Sequence, residues 1–323
     1  DTRGAGESTP VVCATKEEMD QINAVDMSPD DDQEFKQLQD AQKNFASLCR
    51  KNSGALLDHI STIDTVRDLD YLRHVVGDKE LTYMGVSYGT FIGSVYAELY
   101  PMRAKRLVLD SAVNITDKES VIQQMGFDKA LKEFGDWCAE QALCKYGSNG
   151  EEVAKNLADW FTELDRNPIR GIDGTLSQND AVMGVAAFLY SGKEAYTPLL
   201  SAIRFARDTK MTKFLVLAAG FLQGKDDKGN YTPMAFSFPA IACADSSDKG
   251  LKEAKPEWEK AQKQAPIFGK HMGPGLQCTF WTAKPIPAIK LTAQGAHPIL
   301  VLGATGDPAT PYEQSQWLSL IHI

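Results

Sequence analysis

Apolar residues along the chain follow two kinds of pattern, and each pattern predicts a different element. Short apolar runs are typical of buried strands, and they lie at residues 80–84, 106–110 and 298–303. Longer stretches with apolar residues at helical spacing predict helices, and they lie at about 30–50, 62–73, 117–146, 150–166, 178–190 and 194–221. Strand patterns therefore flank a long helical region. This order predicts an α/β fold, with a mostly parallel sheet flanked by helices and a helical cap inserted into it.

The change of pattern along the chain predicts four parts. Residues 1–114 form a core that is expected to lack its first strands, 115–285 form a mainly helical cap or insertion, and 286–317 return to the core. The last six residues, 318–323, break the polar helical pattern before them and match one reading frame of a transposon mosaic-end sequencing adapter. We expect this tail to be non-native. We also expect truncation at both ends, since the chain starts at Asp1 without a methionine or an export signal.

The most specific motif is Gly85-Val86-Ser87-Tyr88-Gly89, between a predicted strand and a predicted helix. Strand, Gly-x-Ser-x-Gly and helix in this order form the nucleophile elbow of an α/β-hydrolase. The glycines have a physical reason, because side chains at positions 85 and 89 would collide with the neighbouring strand and helix. The pattern predicts that Ser87 is a nucleophile and that the backbone N–H of Tyr88 stabilises the oxyanion. The alternative is a glycine-rich turn with a passive serine.

An acid for Ser87 is expected on the loop after a late core strand, because the triad of this fold runs in the chain order Ser, acid, His. Asp307 occupies that position after the predicted strand 298–303. Its role would be to fix the tautomer of an imidazole and to stabilise the imidazolium. The alternative is an ordinary turn aspartate before Pro308.

The histidine of a triad is expected after Asp307, where only His322 remains. His322 lies in the suspected tail, and it is too close to Asp307 for the chain to complete a helix and return to the sheet. The other histidines are His59, His74, His271 and His297. All of them precede Asp307, against the chain order of the fold. We therefore expect the general base to be absent from this chain.

Composition and charge argue against several classes of protein. The net charge is −9 without a basic block, which argues against a nucleic-acid partner. No apolar run in the sequence reaches the length of a membrane span. The sequence has no C-x-x-C pair and no histidine cluster, so it predicts neither a metal site nor a cofactor.

The six cysteines are Cys13, Cys49, Cys138, Cys144, Cys243 and Cys278. The short spacing between Cys138 and Cys144 favours a local bridge. The simplest interpretation is three disulfides formed in an oxidising compartment, and the alternative is six buried free thiols. Six cysteines allow about 15 pairings, so the sequence pattern leaves the other bonds open.

Several stretches taken together resemble one family. They are Asp1-x-Arg-Gly-x-Gly-x-Ser-x-Pro10, Asp68-Leu-Asp-x-Leu-Arg73, Gly85-Val-Ser-Tyr-Gly-Thr90, Arg106-Leu-Val-Leu-Asp110, Ile241-Ala-Cys-Ala-Asp245, Cys278-x-x-Trp281 and Asp307-Pro-Ala-Thr-Pro311. In this order they resemble the tripeptidyl-aminopeptidase and proline-iminopeptidase branch of the α/β-hydrolases, in particular the secreted actinobacterial tripeptidyl aminopeptidases. They span nearly the whole chain and are far more specific than the elbow alone.

The resemblance implies features that the residue patterns alone do not. It implies the disulfides Cys13–Cys49, Cys138–Cys144 and Cys243–Cys278. It also implies a His-Gly-Gly-Pro-Gly oxyanion loop just upstream of Asp1 and a Gly-His-Gly histidine beyond Trp317, and this sequence contains neither motif. We expect a bacterial protein that is secreted or held in the cell envelope, with its signal peptide upstream.

We expect the intact protein to be a serine exopeptidase that releases tripeptides from the free N-termini of peptide substrates through an acyl-enzyme. This chain would be an inactive fragment of it. Such an enzyme needs an anionic group for the substrate ammonium, and the candidate is Asp245, at the end of the apolar run 240–245.

Several alternatives stay open. Asp245 could instead be a capping or turn aspartate, and other carboxylates of the insertion are equally open as ammonium ligands. A carboxylic-ester hydrolase would use the same triad, because the fold does not decide the substrate. A non-enzymatic binding protein on a hydrolase scaffold is the third reading. The oligomeric state is not predicted.

Overall fold

The computed structural model describes residues 1–113, 122–246, 248, 250–286 and 289–320. The helices are α1 Lys16–Asn23, α2 Asp32–Ser53, α3 Thr62–Val75, α4 Tyr88–Leu99, α5 Gln123–Ala139, α6 Gly150–Arg166, α7 Gln178–Tyr190, α8 Tyr196–Thr209, α9 Lys213–Leu222, α10 Met234–Asp245, α11 Leu251–Gln264, α12 Phe268–His271 and α13 Tyr312–Leu320. The strands are β1 Leu81–Val86, β2 Ala104–Asp110, β3 Ile169–Gly171, β4 Gly174–Leu176 and β5 Leu300–Leu302.

Strands β1, β2 and β5 form a parallel sheet in the order β1-β2-β5. Val86, the last residue of β1, pairs with Asp110 of β2, and Asp110 pairs with Leu302 of β5. The carboxyl ends of the three strands therefore lie at one edge of the sheet. Helices pack on this sheet, so the predicted α/β fold with a parallel sheet flanked by helices is confirmed. A short antiparallel hairpin, β3 with β4, lies in the helical region.

The core of the sheet lies between the strands and the helices α3 and α4. Val66 of α3 and Tyr96 of α4 are fully buried there. Gly93 lets α4 approach β2 closely, because a Cβ at this position would lie 2.5 Å from the side chain of Leu109. The helix that follows Ser87 is therefore held firmly against the sheet.

A second buried cluster joins the helices α5 to α9, separately from the core of the sheet. Its largest fully buried side chains are Phe134, Phe161 and Phe268, the last of which lies in α12. Helix α5 covers only part of the stretch predicted at 117–146. Residues 117–121 lie outside the described residues, and after Ala139 the chain turns within the loop of the Cys138–Cys144 disulfide.

The helix predicted at 194–221 is interrupted in the structure and forms α8 and α9. Lys210 ends α8 in the left-handed region, with φ 57°. Buried Thr212 then donates from its backbone N–H and its hydroxyl to Asp173, over 2.7 and 2.9 Å. These hydrogen bonds to the Asp173 side chain take the place of backbone hydrogen bonds within a helix. The apolar spacing alone could not reveal this interruption.

Helix α10 lies within the predicted cap but packs on the N-terminal helices. Phe236 and Ile241 of α10 share a buried cluster with Phe45 of α2 and with Leu57 and Ile60, which follow α2. The boundary expected between residues 114 and 115 lies within the range 114–121, outside the described part of the chain. The division into four parts therefore stays a prediction.

The three disulfides that the resemblance implied are present. They are Cys13–Cys49, Cys138–Cys144 and Cys243–Cys278. The first ties the segment before α1 to α2, the second closes the turn after α5, and the third ties α10 to the segment before the last strand. Each bond restricts the unfolded chain and so stabilises the fold.

The last described helix, α13, packs against the sheet. Leu318 is only 2% exposed and contacts Leu109 and Ala112 in a small buried cluster. The segment 321–323, which includes His322, lies outside the described residues. The expectation that 318–323 is a non-native tail stays a prediction.

Candidate active site

Ser87 stands at the turn between β1 and α4, as the elbow motif predicts. Its backbone has φ 53° and ψ −120°, a region that residues other than glycine rarely adopt. Its N–H donates to the carbonyl of Asp110 over 3.0 Å, which extends the pairing of β1 with β2 by one residue. The side chain is partly exposed. The strained turn therefore lifts a serine above the carboxyl edge of the sheet.

The residues around Ser87 hold this turn in place. A Cβ on Gly85 would overlap the carbonyl of Gly89, so position 85 requires glycine. The hydroxyl of Tyr83 donates to that same carbonyl over 2.8 Å, and burial raises the pKa of Tyr83 to about 12, which keeps the phenol protonated. The Thr90 hydroxyl donates to the carbonyl of Ser87 over 2.6 Å. The elbow is thus held by side chains on both of its flanks.

Tyr88 is the first residue of α4, and its backbone N–H belongs to the first turn of the helix. N–H groups in the first turn have no acceptor within the helix, and they carry the positive end of its dipole. This is the electrostatic environment that an oxyanion beside Ser87 requires. The Tyr88 side chain is directed to Thr62 of α3, with 2.7 Å between the two hydroxyl oxygens.

Asp307 follows β5 in a loop that is closed by its own carboxylate. One carboxylate oxygen accepts from the N–H groups of Ala309 and Thr310, both over 2.9 Å, and the other accepts from the Thr310 hydroxyl over 2.7 Å. Helix α5 supports the same loop, because the side chain of Gln123 donates to the carbonyl of Ala309 over 2.8 Å. Asp307 is therefore a partly exposed carboxylate held in one orientation.

The sheet brings Ser87 and Asp307 to the same edge. Ser87 directly follows β1, and Asp307 lies in the loop after β5, two strands away across β2. The carboxyl ends of parallel strands are where α/β folds collect their functional side chains. The order of nucleophile strand and acid strand is thus compatible with the predicted triad.

The four described histidines lie in different parts of the molecule. His59, His74 and His297 are exposed. His271 lies in α12, only 3% exposed, with its ring edge-on to Phe161. Burial, with a smaller contribution from Lys270, lowers the pKa of His271 to about 4.

Asp245, the candidate for the substrate ammonium, binds the start of α3. One carboxylate oxygen accepts the backbone N–H of Thr62 over 2.8 Å, and the other accepts the Thr62 hydroxyl over 2.5 Å. This is the geometry of a residue that caps a helix start, the structural alternative considered from the sequence. It also connects Asp245 to Tyr88 through Thr62.

Sequence reasoning missed Thr62, Tyr83 and Thr310. Thr310 carries a local signal, because a threonine three residues after an aspartate can donate to its carboxylate. Thr62 and Tyr83 carry none, since their partners are brought to them by the packing of α3, α4 and α10. Among the described residues, no group of three or more His, Cys, Asp or Glu side chains could hold a metal ion. None of the helices in the described ranges is long and apolar enough to cross a membrane.

Family models match both ends of the chain. A model of the alpha/beta hydrolase fold matches residues 1–149, which include the elbow. A model of TAP-like proteins matches residues 265–319, which include Asp307. The first match thus contains β1, the strand before Ser87, and the second contains β5, the strand before Asp307.

Curated relatives are similar over almost the whole chain. The serine protease Hip1 of Mycobacterium tuberculosis is 31% identical over 97% of this chain and 64% of its own length. The tripeptidyl aminopeptidase of Streptomyces lividans is 27% identical over 97% of this chain and 59% of its length. Carboxylesterase B of Mycobacterium tuberculosis is 29% identical, over 97% of this chain and 62% of its length.

The chain thus spans about three fifths of the length of the curated relatives that it matches. The similarity covers the sheet, the helical region and the acid loop together. With the parallel sheet, the elbow and the two family matches, it shows that the chain belongs to the α/β-hydrolase superfamily, in the branch of the TAP-like proteins.

Proposed function

We propose that the full-length protein is a serine exopeptidase that removes short peptides, tripeptides in particular, from free N-termini. The observation that carries this proposal is the strained serine turn at the carboxyl edge of the sheet, two strands from the held carboxylate of Asp307. The similarity to a serine protease and to a tripeptidyl aminopeptidase supports peptides as the substrate.

Each residue has a defined role in this proposal. The Ser87 oxygen attacks the scissile carbonyl, and the Tyr88 N–H at the start of α4 stabilises the oxyanion. Asp307 orients an imidazole, which takes the serine proton and passes it to the leaving amine. We propose that this imidazole belongs to a part of the full-length protein beyond this chain, since the histidines before Asp307 do not fit the chain order of the fold.

Fluorophosphonate labelling of the full-length protein tests the nucleophile. We expect one labelled serine, Ser87, and no labelling of Ser87→Ala. Ser94 of α4 offers a matched control, because its hydroxyl is buried and donates to the carbonyl of Thr90 over 2.7 Å. Ser94→Ala should label like the wild type. Unchanged labelling of Ser87→Ala would refute the proposal.

The substrate class is tested by comparing amides with esters. We expect hydrolysis of tripeptide p-nitroanilides with a free N-terminus, and little turnover of their N-acetylated forms. The similarity to a carboxylesterase keeps ester hydrolysis as the second candidate. Faster turnover of short acyl esters than of every peptide anilide would favour that candidate.

We further propose that the protein works outside the bacterial cytoplasm. The three disulfides support this proposal, because such bonds persist in oxidising compartments. Fractionation of cells that express the full-length gene would test it. Recovery of the folded enzyme only from the cytosol would contradict it.

A further inference from the structure

The side chains of Tyr88, Thr62 and Asp245 form a continuous hydrogen-bonded chain that starts at the residue after Ser87. The Tyr88 hydroxyl lies 2.7 Å from the Thr62 hydroxyl, which lies 2.5 Å from the carboxylate of Asp245. These residues belong to α4, α3 and α10, so the chain joins three helices at one point. The triad chemistry described above does not use Thr62 or Asp245.

The direction of the hydrogen bonds follows from the donors available. An ionised carboxylate can only accept, so the single hydroxyl proton of Thr62 goes to Asp245. The oxygen of Thr62 then accepts, and the Tyr88 hydroxyl donates to it. Burial is the largest of the effects that raise the pKa of Tyr88, so the phenol keeps the proton that it donates. Tyr88 therefore donates, Thr62 both accepts and donates, and Asp245 accepts.

Packing makes this arrangement rigid. Thr62 is fully buried, and its backbone N–H also donates to Asp245 over 2.8 Å. The ring of Tyr88 packs against buried clusters on both sides and meets Phe91 edge-on, 6.4 Å between ring centroids. These hydrogen bonds are partly buried, and hydrogen bonds shielded from water are stronger than those in bulk water.

Helix α10 holds Asp245 from the other side. The Cys243–Cys278 disulfide anchors α10 two residues before Asp245. The carbonyl of Ala244 accepts the N–H of Ile286 over 2.9 Å. The carboxylate is therefore fixed relative to the segment that leads back to the sheet.

We propose that Asp245 and Thr62 are positioning residues, which fix Tyr88 and thereby aim its backbone N–H at the oxyanion formed on Ser87. This inference rests on the proposed function. Under this proposal, Asp245 helps to stabilise the transition state of any acyl or phosphonyl transfer at Ser87, because it positions the oxyanion donor. This effect does not require an ammonium group on the substrate. A misplacement of about 1 Å at such a donor can cost about 10²-fold in rate.

The test uses Thr62→Val, Asp245→Asn and Tyr88→Phe in the full-length protein. Thr62→Val removes a donor and an acceptor, Asp245→Asn removes one acceptor oxygen, and Tyr88→Phe removes a donor, each with little change of shape. We expect kcat on tripeptide anilides to fall about 10- to 100-fold, less than the roughly 10²- to 10³-fold for loss of an oxyanion donor itself. KM should change little. Thr62→Ser, which keeps the hydroxyl, should restore most of the activity.

A fluorophosphonate separates positioning from substrate binding, because this probe has no ammonium group. Under the proposal, the labelling rate of Ser87 falls in Thr62→Val and Asp245→Asn together with kcat. A normal labelling rate with lost peptidase activity would mean that Asp245 binds the substrate ammonium, and it would overturn the proposal.

A second aspartate–threonine pair provides a matched control. In the helical region Asp173 accepts both the N–H and the hydroxyl of Thr212, which is also fully buried. Thr212→Val should lose as much thermal stability as Thr62→Val but keep its kcat and labelling rate. Equal kinetics in the two valine variants would refute the positioning role.

The two failures are distinguishable. If wild-type protein is neither labelled nor active on amides and esters, the proposed function fails and the inference fails with it. If the wild type is active and Thr62→Val is equally active, only the inference fails.

Discussion

At the scale of single residues, the position of Ser87 in the turn requires a backbone conformation that residues with a Cβ disfavour. Ser87 has a Cβ, yet its backbone lies at φ 53° and ψ −120°. Such conformations cost about 1–3 kcal/mol and persist where the surrounding structure enforces them. Here the enforcing contacts are the pairing of its N–H with Asp110 and the hydroxyl bond from Thr90 to its carbonyl. The serine is thus held in place by its neighbours.

Ser87→Gly should therefore stabilise the full-length protein while abolishing its activity. Glycine relieves the strain and costs about 0.5–1 kcal/mol in chain entropy, so a net gain of about 0.5–2 kcal/mol is expected. Ser87→Ala keeps the Cβ and should change the free energy of unfolding by less than about 0.5 kcal/mol. Urea unfolding of both variants measures the difference. A glycine variant that is less stable than the alanine variant would show that the turn is unstrained.

Gly85→Ala should destabilise the fold, because the added Cβ would overlap the carbonyl of Gly89. A loss of more than about 3 kcal/mol is expected, since backbone must move to relieve the overlap. Gly220 in α9 is the control, because a Cβ there meets only the Lys225 side chain at 3.5 Å. Gly220→Ala should gain up to about 1 kcal/mol from helix propensity. Similar effects of the two substitutions on urea unfolding would contradict this account.

At the scale of elements, the helical region contains a buried histidine, His271, whose protonation is unfavourable in the folded state. His271 of α12 packs edge-on against Phe161 of α6, and its Nδ1 has no hydrogen-bond partner among the described residues. Charging this ring would place an uncompensated cation in an apolar cluster. The packing of α12 on the helical region thus depends on a neutral imidazole.

Stability should consequently fall as the pH is lowered from about 6.5 to about 4. The ordinary pKa of histidine is 6.5 and that of folded His271 is about 4, so the unfolded state binds more protons between these values. The stabilisation is fully present above the upper value and is lost towards the lower one, by about 3 kcal/mol in total. Chemical unfolding of the full-length protein at pH 7.5 and 4.5 measures it.

His271→Leu should reduce this loss of stability in acid while leaving stability near pH 7.5 within about 1 kcal/mol. Leu157→Ala is the control, because it removes a buried, non-titrating side chain of α6. That variant should lose about 2–5 kcal/mol at both pH values alike. An unchanged acid-side decline in His271→Leu would show that other groups cause it.

At the scale of the whole molecule, the described sheet has three strands, and its outer strands carry exposed apolar side chains. Met84 and Val86 of β1 are 64% and 54% exposed, and Leu300 of β5 is 54% exposed. Exposed strand edges and apolar faces of this kind are usually covered in folded proteins. Because the relatives are much longer than this chain, we propose that further parts of the full-length protein cover them and supply the histidine.

The 323-residue chain by itself should then hydrolyse tripeptide anilides at least about 10⁴-fold more slowly than the full-length protein. A serine without its general base is an ordinary alcohol at neutral pH. Parallel assays of both forms, with folding checked by circular dichroism, measure the ratio. Comparable rates, together with loss of activity in His322→Ala, would show that the tail supplies the base and that our rejection of His322 is wrong.

The sequence by itself determined the elements and the chemistry that are local in the chain. Strand and helix periods lie within single segments, and the elbow is five consecutive residues, so β1, Ser87 and α4 could be predicted together. The acid loop after β5 follows from the same local order. The disulfide pairs came from the family resemblance, since spacing alone left them open.

Only the tertiary structure decided the contacts between distant segments. The interruption at Lys210 depends on Asp173, the packing of α10 depends on the N-terminal helices, and the partner of Asp245 is Thr62. Each depends on which segments become neighbours. A carboxylate after an apolar run can bind a ligand or cap a helix, and the sequence around it is the same in both cases. Here packing brings the backbone N–H of Thr62 within 3 Å of the carboxylate, and only the folded structure shows this contact.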